Sequence, residues 1–135
     1  MMRIDLAYDG KDFHGWQLQP GLRTVQGDLN KEITRLLGWD ATTIGAGRTD
    51  TGVHALQQTV HLGGVNQHEA RRLESTLSRM GPEDMRILSV REVSPEFHAR
   101  YSADWRRYEY RLSFRDDLFL RGTWWWIKNS LDRDA

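Results

Sequence analysis

The chain has 135 residues, no Cys, 19 basic and 19 acidic side chains, 39% hydrophobic residues and 10% aromatics. That composition fits one α+β domain over residues 1–135 with an ordinary core, and it excludes a disulfide scaffold, a thiol nucleophile and a Cys-ligated zinc. No apolar run reaches the ~20 residues of a membrane span, and the start Met1-Met2-Arg3-Ile4-Asp5 has no signal-peptide core, so a soluble cytoplasmic protein with no membrane partner is expected.

Arg3–Tyr8 alternates Ile4, Leu6 and Tyr8 with polar or small residues, which predicts a half-buried strand. A glycine-rich loop follows from Asp9 to Arg23. Thr24 is a good N-cap for a helix whose apolar stripe is Val25, Leu29, Ile33, Leu36 and Leu37 and whose end is Gly38. Thr42–Ala46 and Leu56–Leu62 read as short strands around a polar, glycine-containing turn. Asn66 and Glu69 have capping-box spacing ahead of a second helix with Ala70, Leu73 and Leu77 on one face, stopped by Gly81-Pro82. Met85–Val93 is a further strand, and Arg106–Phe114 has the strongest alternation of all. Trp124–Lys128 is a candidate last strand, with Leu131–Ala135 able to begin another helix. The order β-α-β-β-α-β implies a ferredoxin-like or RRM-like antiparallel sheet with helices on one face.

Zero net charge speaks against a nucleic-acid partner, but 16 of the 19 basic residues are Arg, the side chain suited to bidentate phosphate contacts and base stacking. Five of them, Arg100, Arg106, Arg107, Arg111 and Arg115, interleave with Tyr101, Trp105, Tyr108 and Tyr110. Composition alone favours a solvated strand face over an RNA surface there.

The densest chemistry lies in Gly45-Ala46-Gly47-Arg48-Thr49-Asp50-Thr51-Gly52-Val53-His54. Arg48 and Asp50 are two apart, so on extended backbone both leave one face, and the cation would keep Asp50 ionised as nucleophile or base. An Asx-turn with a surface ion pair accounts for the same residues equally well. His54 reads as a hydrogen-bonded structural histidine, since no Ser sits in a nucleophile elbow and the five His (14, 54, 61, 68, 98) lack metal-ligand spacing. No metal is expected. The Asp9–Pro20 loop has neither a lysine-serine ending nor G-x-G-x-x-G order, so it is a poor phosphate cradle.

Gly47-Arg48-Thr49-Asp50-Thr51-Gly52-Val53-His54-Ala55 resembles the signature of the TruA family of tRNA pseudouridine synthases. Tyr8-Asp9-Gly10 with Phe13, Gly15-Trp16-Gln17 and Gln19 resembles the family's opening loop, and Thr24-Val25-Gln26 the start of its first helix. Phe97-His98-Ala99-Arg100-Tyr101-Ser102 and Arg106-Arg107-Tyr108-Glu109-Tyr110 resemble its later strand motif. The resemblance implies an enzyme that isomerises uridine to pseudouridine in the tRNA anticodon stem-loop, without cofactor or metal, as a homodimer.

It assigns the catalytic carboxylate to Asp50 and its pairing, base-flipping partner to Arg48. Tyr108 becomes the aromatic on the target base with Tyr110 as alternative. Beside that assignment, Arg100, Arg106 and Arg107 of the arginine- and tyrosine-rich stretch are expected to face RNA. The chain departs from the family pattern at Ser78–Pro82, which touches only a turn, and in length. It covers the first half of the family pattern and matches nothing of the second, so the C-terminal domain is expected to be absent from these 135 residues. The 135 residues alone are therefore expected to fold but to catalyse poorly, with Trp124–Trp126 as the place where the other half docks. A non-catalytic RRM-like RNA-binding module is the alternative, weakened by the lack of an aromatic-rich RNP pattern over Leu56–Leu62. A hydrolase using Asp50 and His54 would need a Ser or a metal that the sequence does not offer.

Overall fold

A computed structural model describes residues 1–128. The chain gathers into two compact units, Met1–Ala103 and Asp104–Ala135. The first holds β1 (Met2–Tyr8), α1 (Val25–Leu37), β2 (Ile44–Gly45), β3 (Ala55–Leu62), α2 (Gln67–Met80) and β4 (Met85–Glu92). The strands form one antiparallel sheet in the order β2-β3-β1-β4, as the β-α-β-β-α-β reading requires.

Local chemistry sets the helix ends. Thr24 is extended and its hydroxyl accepts the Gly27 N–H, while Gly38 (φ 79°) closes α1 by donating to the Thr34 carbonyl at 2.8 Å. Asn66 and Glu69 form a reciprocal capping box at 2.9 and 2.8 Å. Gly81 ends α2 in extended backbone, the conformation that a following proline favours. Val25, Leu29, Ile33 and Leu36 of α1 and Leu73 and Leu77 of α2 share one core with Ile4, Leu6, Tyr8, Val60, Leu62, Met85 and Ile87, so both helices cover the same sheet face. Each fully buried aliphatic side chain contributes about 2 kcal/mol.

The other face is polar, with one buried acid at its centre. Asp5 accepts from Thr59 Oγ1 at 2.6 Å, Ser89 Oγ at 3.1 Å, Arg91 at 2.9 Å and Arg3 at 3.1 Å. Burial would raise its carboxyl pKa, but the hydrogen bonds from Thr59, Arg91 and Arg3 outweigh that and hold it below the ordinary value. Arg3 and Arg91 lie directly opposite one another across β1 and β4, and Asp5 separates their charges.

In the second unit, the strand expected over Arg106–Phe114 contracts to β5 (Leu112–Ser113), which pairs in parallel with β6 (Trp125–Trp126). Residues 104–111 carry no regular structure. Alternation marks a strand only where a neighbour supplies the ladder, and the ladder to β6 runs over Leu112–Ser113, with Trp125 N–H also donating to the Arg111 carbonyl at 2.7 Å. Trp124, Trp125 and Trp126 are all exposed. The helix proposed at Leu131–Ala135 lies outside the described residues. Among those described, no helix is long and apolar enough to cross a membrane.

Candidate active site

The segment 46–54 joins β2 to β3 and lies against the opening loop of residues 9–23. Main-chain bonds hold the two together: Trp16 N–H donates to the Thr49 carbonyl at 2.9 Å and Gly52 N–H to the Phe13 carbonyl at 3.3 Å. The approach is close enough to require glycine at two positions. A Cβ on Gly15, whose φ is +82°, would stand 2.7 Å from the Thr49 oxygen, and one on Gly10 would overlap the Val53 carbonyl.

From β1, the Tyr8 hydroxyl lies 2.8 Å from Thr49 Oγ1. Burial pushes the Tyr8 phenol up, against the hydrogen bonds of Thr49 and Gln58, so it stays protonated at neutral pH. Its ring packs near Phe13 and Trp16, and the Trp16 indole covers Gly45 so tightly that a Cβ there would meet it at 2.9 Å. From β3, Gln58 Nε2 donates to the Gly47 carbonyl at 2.9 Å.

The opening loop is itself tied down. Gln26, on the first turn of α1, donates to the Thr43 carbonyl at 2.7 Å while its oxygen accepts from Leu18 N–H and Gln17 Nε2. Arg23 covers the Phe13 ring at 4.2 Å and forks onto Asp84 at 2.7 and 3.0 Å. Thus Thr24-Val25-Gln26 supplies a cap, a core side chain and a loop anchor in three consecutive residues.

Within this frame the Asp50 carbonyl accepts the Val53 N–H at 3.1 Å, closing a turn whose third residue, Gly52, has φ 79°. His54 follows. Its Nδ1 lies 3.2 Å from Gly10 N and 2.9 Å from Asp9 Oδ1, and the two contacts demand different tautomers. A bare Nδ1 accepts from Gly10; a protonated Nδ1 donates to Asp9. In both states His54 fastens the end of the Asp50 loop to the opening loop, the structural role read from the sequence.

Asp50 and Arg48 are both exposed, and among the described residues they make no ion pair with each other or with any other side chain. The expected Arg48–Asp50 pairing is therefore corrected. Spacing by two puts two side chains on one face of extended backbone but does not bring them into contact, and a bend at Ala46–Gly47 and a turn at Thr51–Gly52 flank the stretch on either side. A pair in open water is worth only about 0.2–1 kcal/mol, too little to impose itself on that path. Among the described residues no side chain or backbone group occupies the Asp50 carboxylate.

Arg100 lies in the first unit, exposed, in the turn 97–102. Arg106, Arg107, Tyr108 and Tyr110 belong to the second. Tyr108 and Tyr110 are 72% and 85% exposed, on backbone without the strand that would have given them a shared face. Glu109 lies between them, 2.8 Å from Arg111 and 3.8 Å from Arg107, and its carboxyl is held below the ordinary value first by the Arg111 hydrogen bond. Sequence reasoning singled out Gly10, Gly15 and Trp16 as parts of the opening loop without their contacts to the Asp50 segment, and missed Gln58 altogether. The glycines marked a loop, but what lies opposite them is not written locally.

A family profile described as tRNA pseudouridine synthase matches residues 6–102. The chain is 45% identical over 136 residues to the tRNA pseudouridine synthase A of Dictyoglomus turgidum, covering 98% of this chain and 56% of that protein. It is 49% identical over 122 residues to the protein of the same name from Maridesulfovibrio salexigens, covering 89% of this chain and 45% of the relative. The Sinorhizobium fredii protein of that name is 40% identical over 138 residues, 98% of this chain and 56% of the relative. The chain spans about half the length of the curated relatives it matches.

Proposed function

The chain belongs to the tRNA pseudouridine synthase family, and from that premise we propose that it carries the catalytic loop of an enzyme that isomerises uridine to pseudouridine in tRNA. In the reaction the bond between C1′ and N1 breaks, the freed base rotates, and C5 bonds to C1′. The C5 proton is lost and N1 gains one, so atoms balance without an oxidant, a metal or a cofactor. Asp50 adds to the base or to the sugar, or abstracts the departing proton. The observation that carries this reading is the Asp50 turn itself. Its backbone is held from β1, β3 and the opening loop, while its carboxylate is open to a ligand.

Arg48, exposed beside it, meets phosphate or the vacated base stack when the uridine is flipped out. Tyr108, or Tyr110, stacks on the flipped uracil, and Arg100, Arg106 and Arg107 meet the RNA backbone. The resemblance supports the anticodon stem-loop as substrate and a cytoplasmic homodimer as the working form.

The test uses the intact enzyme and tRNA carrying tritium at uracil C5. Wild-type protein should release tritium, and Asp50→Asn, which keeps the shape and removes the charge, should release none while still binding tRNA. Turnover by Asp50→Asn, or no release by the wild type, would defeat the assignment.

A further inference from the structure

Away from the Asp50 loop, three aromatic rings run outward from the helix-free side of the sheet. His61, in β3 opposite Arg3, is buried, and its Nδ1 accepts the Ala99 N–H at 3.0 Å. The His98 ring lies 4.6 Å from it, and the Tyr101 ring stacks on His98 at 4.4 Å and 30°. The turn that presents these rings is closely tied. Tyr101 and Ser102 N–H groups donate to the His98 carbonyl at 3.0 and 2.8 Å, Ser102 Oγ accepts the His98 N–H at 3.1 Å, and Arg100 N–H donates to His98 Nδ1 at 3.3 Å. All this order ends in a tyrosine that is 78% exposed, with the Arg100 guanidinium 5.9 Å from its ring centre. Core packing does not account for it, because a ring so open to water returns little burial energy.

We propose that Tyr101, backed by His98 and flanked by Arg100, is a stacking platform for an unpaired nucleobase of the RNA substrate, distinct from the reacting uridine; the inference rests on the proposed tRNA reading. One side of the ring is fixed against His98, and the exposed remainder is a rigid π surface beside a cation. Unstacked bases in RNA loops are held on such surfaces.

Position separates this base from the reacting one. Thr49 meets Tyr8, which pairs with Ala55 at the start of β3, whereas His61 is six residues further along the same strand. At about 3.3 Å per residue Ala55 and His61 lie about 20 Å apart along β3. The Thr49 contact thus sits at the Ala55 end of the strand and the ring stack at the His61 end, which points to two bases of one folded RNA rather than one. The contact adds affinity and register rather than sequence readout, since every base has a π face.

The experiment measures affinity of the intact protein for a fluorescein-labelled, unmodified tRNA transcript, with Tyr101→Phe, Tyr101→Leu and Tyr101→Ala, over a salt series. Leu keeps apolar packing on His98 without the π face. Phe should bind within about twofold of wild type, and Leu and Ala about tenfold more weakly. The plots of affinity against salt should stay parallel, because a stacked base releases no counterions. Wild-type affinity in the Leu or Ala variant, or a changed salt slope in either, overturns the platform. Tritium release by the wild type, measured on the same tRNA, separates the two ideas. Its absence would defeat the enzymatic reading while a Tyr101-dependent affinity still supported the stacking site.

Discussion

Gly15 is where the two loops of the site come closest, and Gly15→Ala should damage catalysis more than folding. The added methyl meets two costs. A residue with a Cβ in left-handed backbone costs about 1–2 kcal/mol, and Gly15 sits at φ +82°. The methyl would also lie 2.7 Å from the Thr49 oxygen and 3.3 Å from the Asp50 carbonyl carbon, an overpacking cost of about 1–3 kcal/mol. The total of about 2–5 kcal/mol is tolerable for a domain stable by 5–15 kcal/mol. Relief comes only if the loops part by roughly half to one ångström, which stretches the bond from Trp16 N–H to Thr49 and carries the Asp50 turn with it. Displacement on that scale costs up to about 10²-fold in rate.

Gly21 is the internal control. It has φ +75° and open space around its Cβ position, so Gly21→Ala should cost only the backbone term, about 1–2 kcal/mol, with the rate unchanged. The assay is pseudouridine formation by the intact enzyme at saturating tRNA, well below both melting temperatures, beside thermal melts. Wild-type rate in Gly15→Ala, or an equal rate loss in Gly21→Ala, would refute the view that glycine contact positions Asp50.

Gln26→Leu should lower stability by about 2–4 kcal/mol, read as a lower urea midpoint, because the Thr43 carbonyl and the Leu18 N–H lose their partner; an unchanged midpoint would remove Gln26 as the loop anchor. His61 has a pKa below its usual 6.5, chiefly through burial and then through His98, so the unfolded chain binds the proton more readily than the folded one. Its contribution is full above that usual value and is lost as pH falls from there toward the lower folded value. Urea melts at about pH 7 and about pH 5.5 should therefore diverge in wild type and converge in His61→Gln, and equal divergence in both would refute this.

The parts of this fold that local chemistry determines were legible in the sequence. Thr24, Gly38 and the Asn66–Glu69 box mark helix ends because caps act within four residues, and each is where the spacing put it. Arg106–Phe114 misleads because a strand is completed by a neighbour, and alternation cannot name one. The same division runs through the site. Arg48, Asp50 and His54 stand out by residue type, yet the spacing of Arg48 and Asp50 suggested an ion pair that is not formed among the described residues, since a shared face does not fix contact between two exposed side chains. Gly10, Gly15 and Gly45 stand in the motifs the sequence singles out, but their partners are not legible there, because a glycine's role depends on what approaches it, here Val53, Thr49 and the Trp16 ring.

That silence has a physical logic. A carboxylate that must meet a ligand cannot be fixed through its own oxygens without using up the groups it needs for the reaction. The alternative is to fix its main chain and leave the side chain open. Main-chain bonds from Trp16, Phe13 and Val53, with the Tyr8 and Gln58 contacts, do so around Asp50. Rigidity therefore resides in residues without reactive groups, several without any side chain, and the geometry of the chemistry is set by them.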